Sequence, residues 1–252
     1  MEPDSYVNGS KRAGASIEAL LSRVAPFSTA SAAARTSFAA AARRLVLGEG
    51  DRAWRAGDPS WAFAFVARGI IKLSRPRVGG RADIIGIFGP GEAIGIVAAL
   101  RGHAYPADAV TASKEAEIIQ IPRIEVLHVS EREIEFMKGL AHCCACRACG
   151  MRDMNTVLTA GGVESRLAAL IVSLSERFGD IDEDGALRVP VVLTRAELAS
   201  CISSTMETVI RTMSRWDADG IMETCDQGFV IRSTERLRQY ADPLTVRARK
   251  SQ

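Results

Sequence analysis

The sequence lacks several features that would have assigned its chemistry directly. Histidine is scarce: 252 residues hold three, His103, His128 and His142, with no HxH pair. A cupin-type metalloenzyme needs clustered imidazoles, so the supply of ligands argues against metal catalysis. An excess of charge of one sign is also missing, since 32 Lys and Arg face 30 Asp and Glu. Nucleic-acid binding must then come from local placement of charge. No apolar run approaches a membrane span. The opening residues Met1-Glu2-Pro3-Asp4 are acidic and no apolar segment follows, so no secretory signal is read. A cytoplasmic location is expected, with cysteines as thiols or ligands and not as structural disulfides. The acidic run Asp180 to Asp184 lacks the twelve-residue ligand spacing of a calcium loop and reads as solvated.

What is present is a globular balance, 47% hydrophobic and 25% charged, long enough for two cores. Residues 1–16 read as a disordered leader and 241–252 as a basic tail. Between Ile17 and Pro122, glycines such as Gly48, Gly57, Gly69, Gly86 and Gly95 separate short apolar stretches: Ala62 to Val66, Ile70 to Leu73, Ile84 to Phe88 and Ile118 to Ile121. That punctuation predicts a β-sandwich or roll, preceded by helical spacing from Ile17 to Leu47. After Pro122 the period becomes 3.6. A long helix is predicted from Glu131, capped by Ser130, to Leu158, with Phe136, Leu140, Cys144, Met151, Met154 and Leu158 along one stripe. Such a stripe marks a core or a partner helix. Its place between two domains favours a homodimer seam through Leu140, Cys144, Met151 and Leu158. Gly161-Gly162 reads as a hinge, followed by a helix from Val163 to Phe178.

The most informative segment runs from Leu193 to Arg211. Thr194 and Glu197 make a capping box, Leu198 and Ile202 an apolar stripe, and Ser203-Ser204 a break. Thr205 then caps a second helix, expected to turn Met206, Val209 and Met213 inward and Glu207, Ile210 and Arg211 outward. Arg offers a bidentate fork to guanine and Glu accepts from cytosine N4, so Glu207 and Arg211 are the candidate base readers. Ile210 fits a thymine methyl, Ser204 and Thr205 suit phosphates, Thr208 is a further candidate for contact with DNA, and Arg195 and Arg215 supply positive charge. The plain alternative is a surface helix with one Glu/Arg pair. Against it, Asp219-Gly220, a strand-like run from Ile221 to Cys225, the turn Asp226-Gln227-Gly228 and the strand Phe229 to Ile231 complete a winged helix-turn-helix.

Four of six cysteines crowd into His142-Cys143-Cys144-Ala145-Cys146-Arg147-Ala148-Cys149. On a regular helix Cys143, Cys146 and Cys149 are expected on a flank away from the seam, with Cys144 in it. The first and last are about 9 Å apart along the axis, so one undistorted helix cannot close all four around a metal. An iron–sulfur cluster or other thiolate-bound metal would need local unwinding or ligands from a second subunit. Packing of small side chains is the competing reading, and Cys201 and Cys225 are expected in the core of the winged domain.

Taken in order, five pieces resemble the CRP/FNR family of bacterial transcription regulators over residues 17–240. They are Gly57-Asp58, Val66 to Leu73, Gly89-Pro90-Gly91-Glu92-Ala93-Ile94-Gly95, Val163 to Leu167, and the helix-turn-helix with Glu207 and Arg211. The resemblance implies an α+β protein: a double-stranded β-helix effector domain (17–122), a dimerisation helix and hinge (123–162) and a winged helix-turn-helix (163–240). It also implies a homodimer on a palindromic operator with TTGA-like half-sites, contacting RNA polymerase. Its effector pocket would be lined by Gly95, Ile96, Tyr105 and Pro106. Cyclic-nucleotide binders of the family have Glu after that glycine and Arg-Ser further on, where this chain has Ile96 and Tyr105-Pro106. Cyclic AMP is therefore not the expected effector, and the Tyr-Pro variant resembles the oxygen- and nitric-oxide-responsive FNR, FixK and DNR branch. That branch places most cluster cysteines near the N-terminus, whereas this chain has none before Cys143. Ser203 stands where the turn usually has Gly, and Ile210 where FNR has Ser. The alternative from another class is a β-roll sensor of a ligand or metal without operator binding.

Overall fold

The computed structural model describes residues 15–77, 82–182 and 185–241. The expected leader and tail therefore lie almost wholly outside the described residues. Two short helices lead, α1 (Ile17–Leu21) and α2 (Ala32–Ala41), each capped by a serine hydroxyl, from Ser16 and Ser31, that accepts a first-turn N–H. Eight strands come next: β1 (Arg43–Gly48), β2 (Arg52–Trp54), β3 (Ala62–Arg68), β4 (Ile71–Pro76), β5 (Ala82–Phe88), β6 (Ala93–Ile94), β7 (Asp108–Thr111) and β8 (Glu115–Pro122). They form two antiparallel sheets, ordered β1-β8-β3-β6 and β2-β7-β4-β5, with α3 (Ile96–Arg101) between β6 and β7. The helical spacing expected up to Leu47 ends at Ala41. From Arg43 on, pairing with β8 in register from Gln120 to Glu115 overrides the local period.

Strand β8 shows how two cores are served at once. Ile118 faces the space between the sheets, among Trp54, Val66, Ile71, Phe88 and Tyr105. Ile119 and Ile121 face the helices outside, where Phe27, Phe38, Phe65 and Phe136 meet with ring centroids 5.3–6.0 Å apart.

The long helix predicted from Glu131 to Leu158 starts three residues later, at Ile134, and a separate short helix precedes it. α4 (Arg123–Ser130) ends first, and Ser130 bonds back to Leu127 O instead of capping the second helix. α5 (Ile134–Thr159) starts after Glu133, whose carboxylate accepts from both the N–H and the hydroxyl of Ser31. α6 (Val163–Phe178) falls where the sequence places it. Beyond it come β9 (Asp180–Ile181), β10 (Leu187–Val189), α7 (Arg195–Cys201), α8 (Met206–Ala218), β11 (Met222–Cys225), β12 (Gly228–Ile231) and α9 (Thr234–Ala241), with the strands in one sheet, β11-β12-β10-β9. Leu167, Ile171, Leu198, Val209, Trp216 and Phe229 form its core, and Ile70, Ile84, Ile87 and Ala112 of the roll join that same core. The C-terminal unit is therefore docked on the second sheet.

Candidate nucleic-acid interface

The helix-turn-helix is built from its caps. Glu197 N donates to Thr194 Oγ1 at 3.2 Å, and the Glu197 carboxylate accepts from Thr194 N at 2.8 Å, which completes the capping box. The turn then needs a left-handed residue, and Ser203 takes φ 50°, the single positive φ among described non-glycine residues. Thr205 caps α8 by accepting from Thr208 N. Val209 and Met213 are buried as expected. Met206, the first residue of α8, is not: it is 44% exposed. In its stead Thr212 and Trp216 complete the inner face.

The outer face of α8 presents Glu207, Ile210 and Arg211 to solvent together. Thr205 is exposed and Ser204 half-buried, both at the N-terminal end of α8, while the Thr208 hydroxyl lies 3.1 Å from that of Thr205. The two supporting arginines are otherwise engaged. Arg195 is half-buried, its guanidinium donating to Thr224 Oγ1 of the wing at 2.8 Å. Arg215 pairs with Glu164 at the start of α6. Glu164 also accepts from Trp216 Nε1 at 3.2 Å, so one carboxylate fastens the C-terminal turns of α8 to the start of α6. Its role was missed in the sequence because partners 51 and 52 residues away leave no local signal.

Polar contacts also fasten α7 to the roll. Lys72 of β4 donates to Glu197 at 2.7–2.9 Å, both side chains being largely buried, and Ser200 donates to Asp83 of β5 at 3.0 Å. Burial pushes the Cys201 thiol, at the end of α7, up to about 12.

The expected effector pocket is filled. Tyr105 is 2% exposed, stacks on Trp54 at 4.2 Å between centroids, and donates its hydroxyl to Ala62 O at 2.9 Å. Burial raises its phenol to about 12. Gly95 has φ 71°, and a Cβ there would sit 2.7 Å from the Tyr105 ring. Ile96 is buried against the outer aromatic cluster and Pro106 is exposed. These residues are core and surface, not the lining of an open cavity.

The face of α5 bearing Leu140 was expected at a dimer seam. Instead Leu140 is 1% exposed and packs with Phe136 inside its own chain's outer core. Once the N-terminal helices are present, Phe136 and Leu140 of that stripe are satisfied within the subunit. Cys143 turns inward with it, against the expectation that it would face away, and burial pushes its thiol to about 11. Cys144 is half-buried beside it, while Cys146 is exposed with His142 Nε2 3.4 Å from its sulfur. Cys201 is buried and Cys225 half-buried. The side chains of Met151 and Cys149 lie outside the described residues.

Three described thiols thus diverge, two toward the core and one toward solvent. They do not converge on one point as a four-iron or zinc site requires. Among the described residues no group of three or more His, Cys, Asp or Glu side chains could hold a metal ion. Nor is any described helix long and apolar enough to cross a membrane.

Comparison with known proteins agrees with this architecture. The cyclic nucleotide-binding domain family matches residues 44–133, and the Crp-like helix-turn-helix domain family matches residues 165–240. The chain is similar to the fumarate and nitrate reduction regulatory protein of Escherichia coli, 24% identical over 79% of this chain and 78% of that protein. It is also similar to a CRP-like cAMP-activated global transcriptional regulator of Mycobacterium tuberculosis, 25% identical over 73% of this chain and 82% of that one. Among solved structures, FixK2 from Bradyrhizobium japonicum superposes with a TM-score of 0.65 at 17% identity, covering 79% of this chain and 96% of that one. The β-roll, the long connecting helix and the winged unit that keeps Glu207 and Arg211 outward place this chain in the CRP/FNR family of DNA-binding transcription regulators, which are not enzymes.

Proposed function

We propose that the chain acts as a homodimer on a palindromic operator with TTGA-like half-sites, contacts RNA polymerase there, and answers a redox signal and not a cyclic nucleotide. The observation that carries operator reading is the outer face of α8, where Glu207, Ile210 and Arg211 stand exposed on a helix whose C-terminal part Glu164 ties to α6. Ser204 and Thr205 are placed for phosphates at its N-terminal end.

A second stripe on α5 supports the dimer. Ile134, Met137, Ala141, Cys144, Ala148, Met151, Asn155 and Leu158 alternate at spacings of three and four, the a and d positions of a heptad. Ile134 is 68% and Met137 41% exposed within one subunit, a large apolar area that a second copy would cover. This seam keeps Cys144, Met151 and Leu158 and replaces Leu140 with its neighbours. Against a cyclic nucleotide stands the Trp54–Tyr105 stack beneath Gly95. A phosphate placed there would lack a guanidinium partner and displace a buried ring.

Gel-shift competition between a TTGA palindrome and random duplex, at one fixed salt concentration, tests the reading. The palindrome should win by about a thousandfold or more. Equal competition would leave a sensor that reads no operator.

A further inference from the structure

We propose that Cys146 is an oxidant-reactive thiol whose base is His142 and whose resolving partner is Cys143, and that its substrate class is the hydroperoxides. The proposal rests on the redox reading of the protein and names the chemistry of that signal.

The cysteines of α5 are not equivalent. Cys146 is exposed, and its sulfur lies 3.4 Å from His142 Nε2 across one helical turn. Thiolate, not thiol, is the attacking species, and the imidazole is within reach to take the proton. Cys143 is half-buried against the outer aromatic core, and Cys144 is half-buried next to it. In the heptad register of the proposed seam Cys144 is at a d position, at the margin between its own core and the second subunit, whereas Cys146 is at an f position on the far side. Dimerisation therefore covers the former and leaves the latter open.

The reaction balances with one hydroperoxide. His142 takes the Cys146 proton, the thiolate attacks the outer peroxide oxygen, the O–O bond breaks, and the alkoxide leaves with the proton from His142 as an alcohol. Sulfur is oxidised by two electrons to the sulfenic acid and the peroxide is reduced. The Cys143 sulfur then attacks that sulfur, an S–S bond forms, and hydroxide leaves with the Cys143 proton as water. Residues three apart on a helix have Cα atoms about 5 Å apart, within disulfide range. Their Cβ atoms must still be drawn together, which distorts the turn and tugs Cys143 from the core it shares with Phe136 and Leu140. α5 runs from that core to the junction at Gly161-Gly162, so a distorted turn there reaches the winged unit.

The test uses the full chain, one equivalent of tert-butyl hydroperoxide, a dimedone trap and peptide mass mapping. A Cys143–Cys146 disulfide is expected in the wild type, and a dimedone adduct on Cys146 in Cys143→Ser. His142→Gln should slow adduct formation by about tenfold or more while the unfolding midpoint stays unchanged. First adducts on Cys144 or Cys149, a Cys146–Cys149 bridge, or an unchanged rate in His142→Gln would overturn the assignment. Operator affinity is measured on the same samples. Oxidation at Cys146 that leaves affinity unmoved would overturn the redox-regulator reading and keep the site; an oxidant effect on affinity that persists in Cys146→Ser would do the reverse.

Discussion

The interior of the β-roll and the outer face of α8 hold large apolar side chains in opposite states. Between the sheets Trp54 and Tyr105 lie stacked, hydrogen-bonded to Ala107 O and Ala62 O, and sealed from water. On α8, Met206 and Ile210 stand 44% and 42% exposed beside Glu207 and Arg211. Tyr105 and Trp54, at the place where the family resemblance puts an effector, are core of the roll, whereas the apolar residues of the outer face of α8 stay exposed. The difference separates stability from recognition: a side chain that anchors the roll is not open to a ligand, and one that reads bases contributes little to folding.

Tyr105→Ala should produce the largest effect. Removing a fully packed ring that also makes a buried hydrogen bond should cost about 3–5 kcal/mol of stability. Urea unfolding measures it. A cost below about 1 kcal/mol would mean that the ring lies over a cavity and that the roll is open to an effector.

The two faces of α5 repeat the contrast within one helix. Leu140→Ala should cost about 2–5 kcal/mol in unfolding and leave assembly alone. Ile134→Glu with Met137→Glu should leave the subunit folded, yet reduce it to a monomer in sedimentation and bring operator binding to the nonspecific level. A double mutant that sediments as a dimer would place the seam elsewhere.

Arg211→Ala sharpens the other side. Unfolding should shift by less than about 0.5 kcal/mol, while binding at the specific site should weaken by about 1–3 kcal/mol with loss of guanine preference. Unchanged discrimination in a base-substitution series would remove Arg211 from readout.

The same contrast explains which features are legible in the sequence. Capping boxes, turn residues and alternating strands are local, so α6, α7, the wing and most of the roll can be read from it, including the departure of Ser203 and Tyr105-Pro106 from the family pattern. Distant partners cannot. The stripe through Phe136 and Leu140 and the stripe through Ile134 and Met137 are both apolar on one helix. Only the position of Phe27 and Phe38 decides which is internal. Cys143 was misplaced for the same reason, and Arg195 and Arg215 read as free charge because Thr224 and Glu164 lie far off in sequence.

The smallest effect belongs to the joint that sets α5 on its course. Glu133 accepts two hydrogen bonds from Ser31, which hold its carboxyl below the ordinary glutamate range, so the start of α5 is tied to the start of α2. A carboxyl with a depressed folded pKa stabilises the fold above its unfolded pKa of about 4.3, and that contribution fades as pH falls through the folded value. The tie is partly exposed and screened, so Glu133→Gln should cost no more than about 1 kcal/mol at neutral pH. Wild type and variant should then converge in urea midpoints as the pH is lowered through the acid range. Parallel pH profiles would show that Ser31 bonds the carboxyl equally in both protonation states, and would reduce the contact to a neutral hydrogen bond that α5 does not need for its direction.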